Sequence, residues 1–181
     1  LQFTAKTRGT VSSKNISGLG TAANTFTDTA TVDISDSSSI AADTLTVLAE
    51  RSGTYYAEGR DGLNRITGDT KATITSSTVN ADAGGATLTA RNKAQLTAKS
   101  PEMVINLDDV GGPVAVEVSS ARNYLSGNTE ASITDSAITV NNNGGLNITT
   151  EKNVLTNSLA ETDSVVWSLP RSAFPHSFTM N

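Results

Sequence analysis

Cysteine is absent from this 181-residue chain, histidine and tryptophan each occur once, and aromatic residues make up 4%. Without cysteine no disulfide can staple the fold, and a single histidine cannot furnish a zinc site. Scarce rings exclude a conventional core of large aromatics. Thirteen Lys and Arg stand against 18 Asp and Glu, a net charge of −5. No basic stripe is left to neutralise phosphates, which excludes nucleic acid as a partner. No apolar run approaches the roughly 18 residues of a membrane span, and no hydrophobic leader opens the chain. Leu1 in place of Met implies a processed or excised piece. No stretch carries a 3.6-residue period, so helix content should be very low.

What is present is small and polar: 48 Thr and Ser, 21 Ala, 15 Asn and 14 Gly. The segment from Asn64 to Ala90 returns from Asn123 to Thr150 with one extra Asn. Asn64/Asn123, Gly68/Gly127, Thr70/Thr129, Ala72/Ala131, Ile74/Ile133, Ser77/Ser136 and the pair Gly84-Gly85/Gly144-Gly145 coincide. A looser copy starts at Asn24, so the copies begin at Asn24, Asn64 and Asn123, with the second step longer than the first. Within them Ala72-Thr73-Ile74-Thr75, Ala86-Thr87-Leu88-Thr89-Ala90 and Leu146-Asn147-Ile148-Thr149 alternate apolar and polar residues, each a strand with one face for a core. Clusters such as Asp82-Ala83-Gly84-Gly85 supply the residues that tolerate positive φ at corners.

The size of the inward residues selects the architecture. A β-sandwich needs bulky side chains across a gap of roughly 10 Å, whereas Ala, Val, Ile and Leu fit a narrow interior wound from short coils. The expectation is an all-β chain: a parallel β-helix, or β-solenoid, of about nine coils of roughly 20 residues each over residues 1–163. The β-sandwich is the alternative. The uneven copy spacing fits a stretch added between the second and third copies, close to one such coil in length.

Gly111-Gly112-Pro113-Val114-Ala115-Val116-Glu117-Val118, then Asn123, Gly127 to Ser136, and Gly144-Gly145-Leu146-Asn147-Ile148-Thr149 form one pattern. It resembles the repeats of giant secreted bacterial adhesins of the filamentous-haemagglutinin-like and leukotoxin-like kind, over about Asn24 to Asn157. The resemblance implies a β-helical stalk on a secreted or cell-surface bacterial polypeptide and carries over no catalytic residue.

Catalytic candidates are few. His176 lies between Pro175 and Ser177 with no Gly-x-Ser-x-Gly elbow, so it reads as a solvent-facing loop residue. Asp108 and Asp109 point to opposite faces of an extended segment, poor geometry for paired acid and base work; a polysaccharide lyase or glycosidase ranks low. The same two carboxylates are the first candidates for a loop-bound Ca²⁺, the one cofactor considered. Asn64 and Asn123 begin equivalent units and suit a corner ladder of stacked amides. Tyr55, Tyr56 and Tyr124 could stack on sugars but more often cover an apolar side. The pairs Thr44/Thr46, Thr73/Thr75 and Thr87/Thr89 suggest an ice-binding face. Equivalent pairs recur only once per copy, however, which would set them two or three short coils apart in an interrupted ladder.

From residue 164 the composition changes: Trp167, Phe174 and Phe178 join Pro170 and Pro175, and proline cannot donate in a central ladder. Residues 164–181 are therefore expected to cap the last coil or dock on a neighbour. The sequence reads as a non-enzymatic structural or adhesive module, acting as a rigid stalk or surface-contact segment. Self-association and contact with a surface glycan or protein are the candidate partnerships. A polysaccharide-binding or polysaccharide-degrading β-helix is the alternative, and an ice-binding solenoid comes after it.

Overall fold

The computed structural model describes residues 1–15, 20–36, 39–100 and 120–160. Among them lie thirteen strands and no helix: β1 (Gln2–Lys14), β2 (Thr21–Thr27), β3 (Ala30–Ser35), β4 (Ile40–Glu58), β5 (Asp61–Thr67), β6 (Thr70–Thr75) and β7 (Thr78–Asn92). There follow β8 (Gln95–Ser100), β9 (Ser120–Leu125), β10 (Thr129–Thr134), β11 (Ala137–Val140), β12 (Leu146–Lys152) and β13 (Leu155–Ala160).

The strands form three sheets. One is β2-β5-β9, one is β3-β6-β10, and a strongly curled seven-stranded sheet joins β1, β4, β7, β8, β11, β12 and β13. Every pairing among the described strands is parallel, unlike the antiparallel layers of the sandwich alternative. The chain visits the three sheets in a fixed order and then returns to the first. Thr21 pairs with Asp61 and Asp61 with Ser120; Ala30 pairs with Thr70 and Thr70 with Thr129. Asn24 to Asn64 and Asn64 to Asn123 are the same two steps, 40 and 59 residues, and these are the spacings of the sequence repeat.

The expectation of short coils is therefore corrected. One circuit of the three sheets, from Asn24 to Asn64, takes 40 residues. The described chain passes the two smaller sheets three times, far short of nine coils. The sequence unit was the full circuit, and its strands are the three sides of one pass.

Alternation decides which side chains fill the interior. Val47, Leu88 and Ile148 stand in one register column, Leu45, Ala86 and Leu146 in the next, and Ile34, Ile74 and Ile133 in a third. In the middle pass these residues are buried, giving a continuous cluster of small aliphatic groups. Corners repeat as well. Asp36, Ser76 and Asp135 adopt φ near +50° at equivalent places, where short polar side chains tolerate the left-handed region. Gly68 and Gly127 sit at the preceding corner with φ of 115° and 119°, which L side chains rarely adopt.

Candidate functional site

Several polar residues are buried among the aliphatic columns of the described chain, Thr70, Ser77, Asn92 and Ser100 among them, and two polar features join separate sheets. Asn24, Asn64 and Asn123 occupy matching positions of β2, β5 and β9, on the inward face. Asn24 Nδ2 donates to Asn64 Oδ1 at 2.8 Å, and Asn64 Nδ2 donates to Asn123 Oδ1 at 2.8 Å. The remaining amide hydrogens reach backbone carbonyls of the seven-stranded sheet: Asn24 to Tyr56 O and Asn64 to Thr97 O, both 2.8 Å, and Asn123 to Asn157 O at 2.7 Å. Asn24 and Asn64 thus bond along the column and across to another sheet. Asn24 begins the column through its tie to Ser13, a partner that the sequence repeat alone does not reveal.

Arg51 is the second feature and escaped the sequence reading, which had no signal that a charge would point inward from a long strand. Alternation breaks at Ala49, Glu50 and Arg51, which are all buried just before β4 passes from pairing β7 to pairing β8. The Arg51 side chain crosses to the corner between the two smaller sheets, where Nη1 donates to Gly68 O at 2.6 Å and Asp28 O at 3.0 Å. Burial lowers its pKa, against the opposing pull of Asp28, Tyr55 and Asp69. Tyr55 Oη donates to Asp28 Oδ2 at 2.6 Å; burial first, then this bond, holds the phenol well above its usual range.

The outer wall carries charge in columns. Lys6, Glu50, Arg91 and Glu151 align across β1, β4, β7 and β12, alternating in sign at every step. Arg91 bridges Glu50 at 3.4 Å and Glu151 at 2.6 Å, and Arg8 leans on Glu50 at 3.6 Å. A second column aligns Lys14, Glu58 and Lys99 and ends in Leu159. Lys14 meets Glu58 at 3.3 Å, and Tyr56 Oη donates to Glu58. That hydrogen bond is the main cause pushing Tyr56 up to about 12 and holding Glu58 below the ordinary carboxylate range.

At the bend of the large sheet, three successive passes line an open groove of about 440 Å³. Arg8 and Thr10 come from β1, Ser52 and Thr54 from β4, and Lys93 and Gln95 from the last pass to reach it. Gly9 and Gly53 also line it, and a Cβ at Gly53 would point away from it, onto the buried Tyr55 ring. Hydroxyls, one amide and two cations are the groups that hydrogen-bond sugars and pair with anions.

The other sequence candidates fall as follows. Tyr55 is buried, whereas Tyr124 is exposed with the Arg65 guanidinium 5.3 Å from its ring centre. Thr46 and Thr87 are direct neighbours on adjacent strands, not two or three coils apart. Their column reads Gln2, Thr46, Thr87, Asn147, and the one beside it reads Thr4, Leu48, Thr89, Thr149, so neither is a pure threonine ladder. Asp108, Asp109, Trp167, Phe174, Phe178 and His176 lie outside the described residues. Among the described residues no group of three or more His, Cys, Asp or Glu is placed to hold a metal ion, and no helix is long and apolar enough to cross a membrane.

Comparison of the chain with family models, with curated proteins and with solved structures gives no match.

Proposed function

We propose that the chain is a β-solenoid segment serving as a rigid, non-enzymatic structural and adhesive module of a secreted or cell-surface bacterial protein. The observation that carries this reading is the persistence of whole columns through successive passes. Aliphatic, amide and alternating-charge columns each continue from strand to strand, across unequal steps between passes and across the register shift between Ala42 and Thr44. Parallel passes advance about 4.8 Å each, and every inner strand is bonded on both sides, which resists bending and shear. Such a stack spaces whatever is attached to it while presenting a hydroxyl-rich wall.

The absence of native cysteine allows a direct test. Thr31 and Glu130 align with Lys71 between them, two strand spacings apart on the outside of one sheet. Spin labels on Thr31→Cys and Glu130→Cys should show strong dipolar broadening for a backbone separation of about 10 Å. A separation beyond ~20 Å, or a broad distribution, refutes the stack. Antibody labelling of intact source cells tests the surface assignment, and internal staining alone refutes it.

The groove at the bend supports a second reading, recognition of an acidic polysaccharide, since Arg8 and Lys93 flank Thr10, Ser52, Thr54 and Gln95. On a glycan array the chain should then retain uronic-acid or sulfated oligosaccharides, with loss of retention in Lys93→Ser.

A further inference from the structure

We infer that the edge of β12 that no described strand pairs is a docking edge for β1 of a second copy of this chain, joined head to tail with Asn147, Ile148 and Glu151 aligned to Gln2, Phe3 and Lys6 of the next molecule. The inference rests on the stacked reading above and adds the partner and its register.

Charge supplies the first argument. The column Lys6, Glu50, Arg91, Glu151 begins with a cation on one edge of the large sheet and ends with an anion on the other. Continuing it with a second copy brings Lys6 against Glu151, so the alternation holds across the junction. Reversing the sequence of strands loses that pairing. Slipping the register by two replaces Lys6 with Thr4 in one direction and with Arg8 in the other, so charge fixes the order of the strands and the cysteine pairs below decide between Lys6 and Arg8. Lys14, Glu58, Lys99 and Leu159 add no charge contact.

Backbone polarity fixes the parity of that register. Leu1 O accepts from Thr46 N, and Asn15 N donates to Glu58 O, so the odd-numbered groups of β1 face β4 and the even-numbered ones face its open edge. On the far side, Gly145 O accepts from Ala86 N and Asn153 N donates to Asn92 O, which leaves the even-numbered groups of β12 facing outward. In these bonds of the large sheet, inward-pointing residues bond the following strand and outward-pointing residues bond the preceding one. Aligning Ile148 with Phe3 continues that rule without a shift.

The apolar columns are also open at this end. Leu146 and Ile148 are 47% and 46% exposed, although Ala86 and Leu88 directly beneath them are buried. Phe3, half-buried in the same column as Val47, Leu88 and Ile148, would close it. Among the described strands the large sheet extends one pass further than the two smaller ones, so of these strands it alone reaches the contact. A heterologous contact of this kind does not close, so it builds linear oligomers and not a symmetric dimer.

The test uses full-length chains carrying one cysteine each. Gln2→Cys mixed with Asn147→Cys should give an intermolecular disulfide under mild oxidation, since laterally paired strands bring Cα atoms to about 4.8 Å, within disulfide range. Asn80→Cys, on β7 between β4 and β11, should give none with Gln2→Cys. In analytical ultracentrifugation the unmodified chain should associate with rising concentration and dissociate in high salt. Lys6→Glu and Glu151→Lys should each weaken association at least tenfold, and a 1:1 mixture of the two should restore it. Glu151→Lys also breaks the contact with Arg91, so thermal melts accompany it, while Lys6→Glu leaves that contact intact. A chain that stays monomeric, a mixture that restores nothing, or an intrachain cross-link from Asn147→Cys to Trp167→Cys overturns the inference. The intramolecular label distance between Thr31 and Glu130 would survive all three, so the stacked reading can stand while this one falls.

Discussion

Replacing Asn64 by alanine should be the most damaging single change in the amide column. The side chain is completely buried and makes three bonds at 2.8 Å: it accepts from Asn24, and it donates to Asn123 and to Thr97 O. Each bond contributes about 1 kcal/mol net, hence about 3 kcal/mol together. Truncation also strands the Thr97 carbonyl and one Asn24 amide hydrogen, at about 1–3 kcal/mol for a buried orphan. Asn24 keeps its bond to Tyr56 O, which limits the added loss. The expected total is about 4–6 kcal/mol, or a fall of roughly 8–24 °C in the melting temperature of a domain this size. Asn123→Ala is the matched control, because that residue is more exposed and water can replace its partners. It should cost about 1 kcal/mol. Guanidinium unfolding followed by far-UV circular dichroism measures both. Equal losses for the two variants, or a loss below about 1 kcal/mol for Asn64→Ala, would refute the claim that the column ties the sheets together.

Two glycines should separate cleanly in the same assay. Gly68→Ala forces a side chain onto φ 115° and places its Cβ 2.5 Å from Asp28 O, so a loss of about 1–3 kcal/mol or more is expected. At Gly145 a Cβ meets nothing within 4 Å, and alanine should change stability by less than about 0.5 kcal/mol. Alkaline titration probes Tyr56, whose pKa is pushed up to about 12 chiefly by its bond to Glu58. The unfolded chain releases this proton near pH 10, so between about 10 and 12 it holds fewer protons than the folded chain and stability falls as pH rises. Tyr56→Phe should flatten the stability profile in that window, leaving the remaining slope to Tyr55 and to Lys71, which Asp69 holds above its usual range. An unchanged slope would contradict the assignment.

Strand content, the absence of helix among the described residues and the aliphatic character of the buried columns were legible in the sequence, because period-2 alternation of Ala, Val, Ile and Leu with Thr and Ser depends only on which face each residue takes. The two unequal offsets between copies were also legible, since identical residues recur wherever the same column is revisited. How much chain makes one circuit was not. Nothing local distinguishes a corner that begins a new pass from one that turns between two sheets of the same pass, and the expectation of short coils followed from that ambiguity. Asn64 and Asn123 could be paired from the repeat, but their bonds to Thr97 and Asn157 through the interior required the large sheet to fold across from them. Arg51 and the bend beside Gly53 were decided entirely by tertiary structure. The Arg51 cation is met there by Asp28 O, Thr67 O and Gly68 O and by the charges of Asp28 and Asp69, while its Nε and Nη2 are left without a partner. The three carbonyls, 16 to 23 positions away in the chain, become its neighbours only through the pairing of strands distant in sequence.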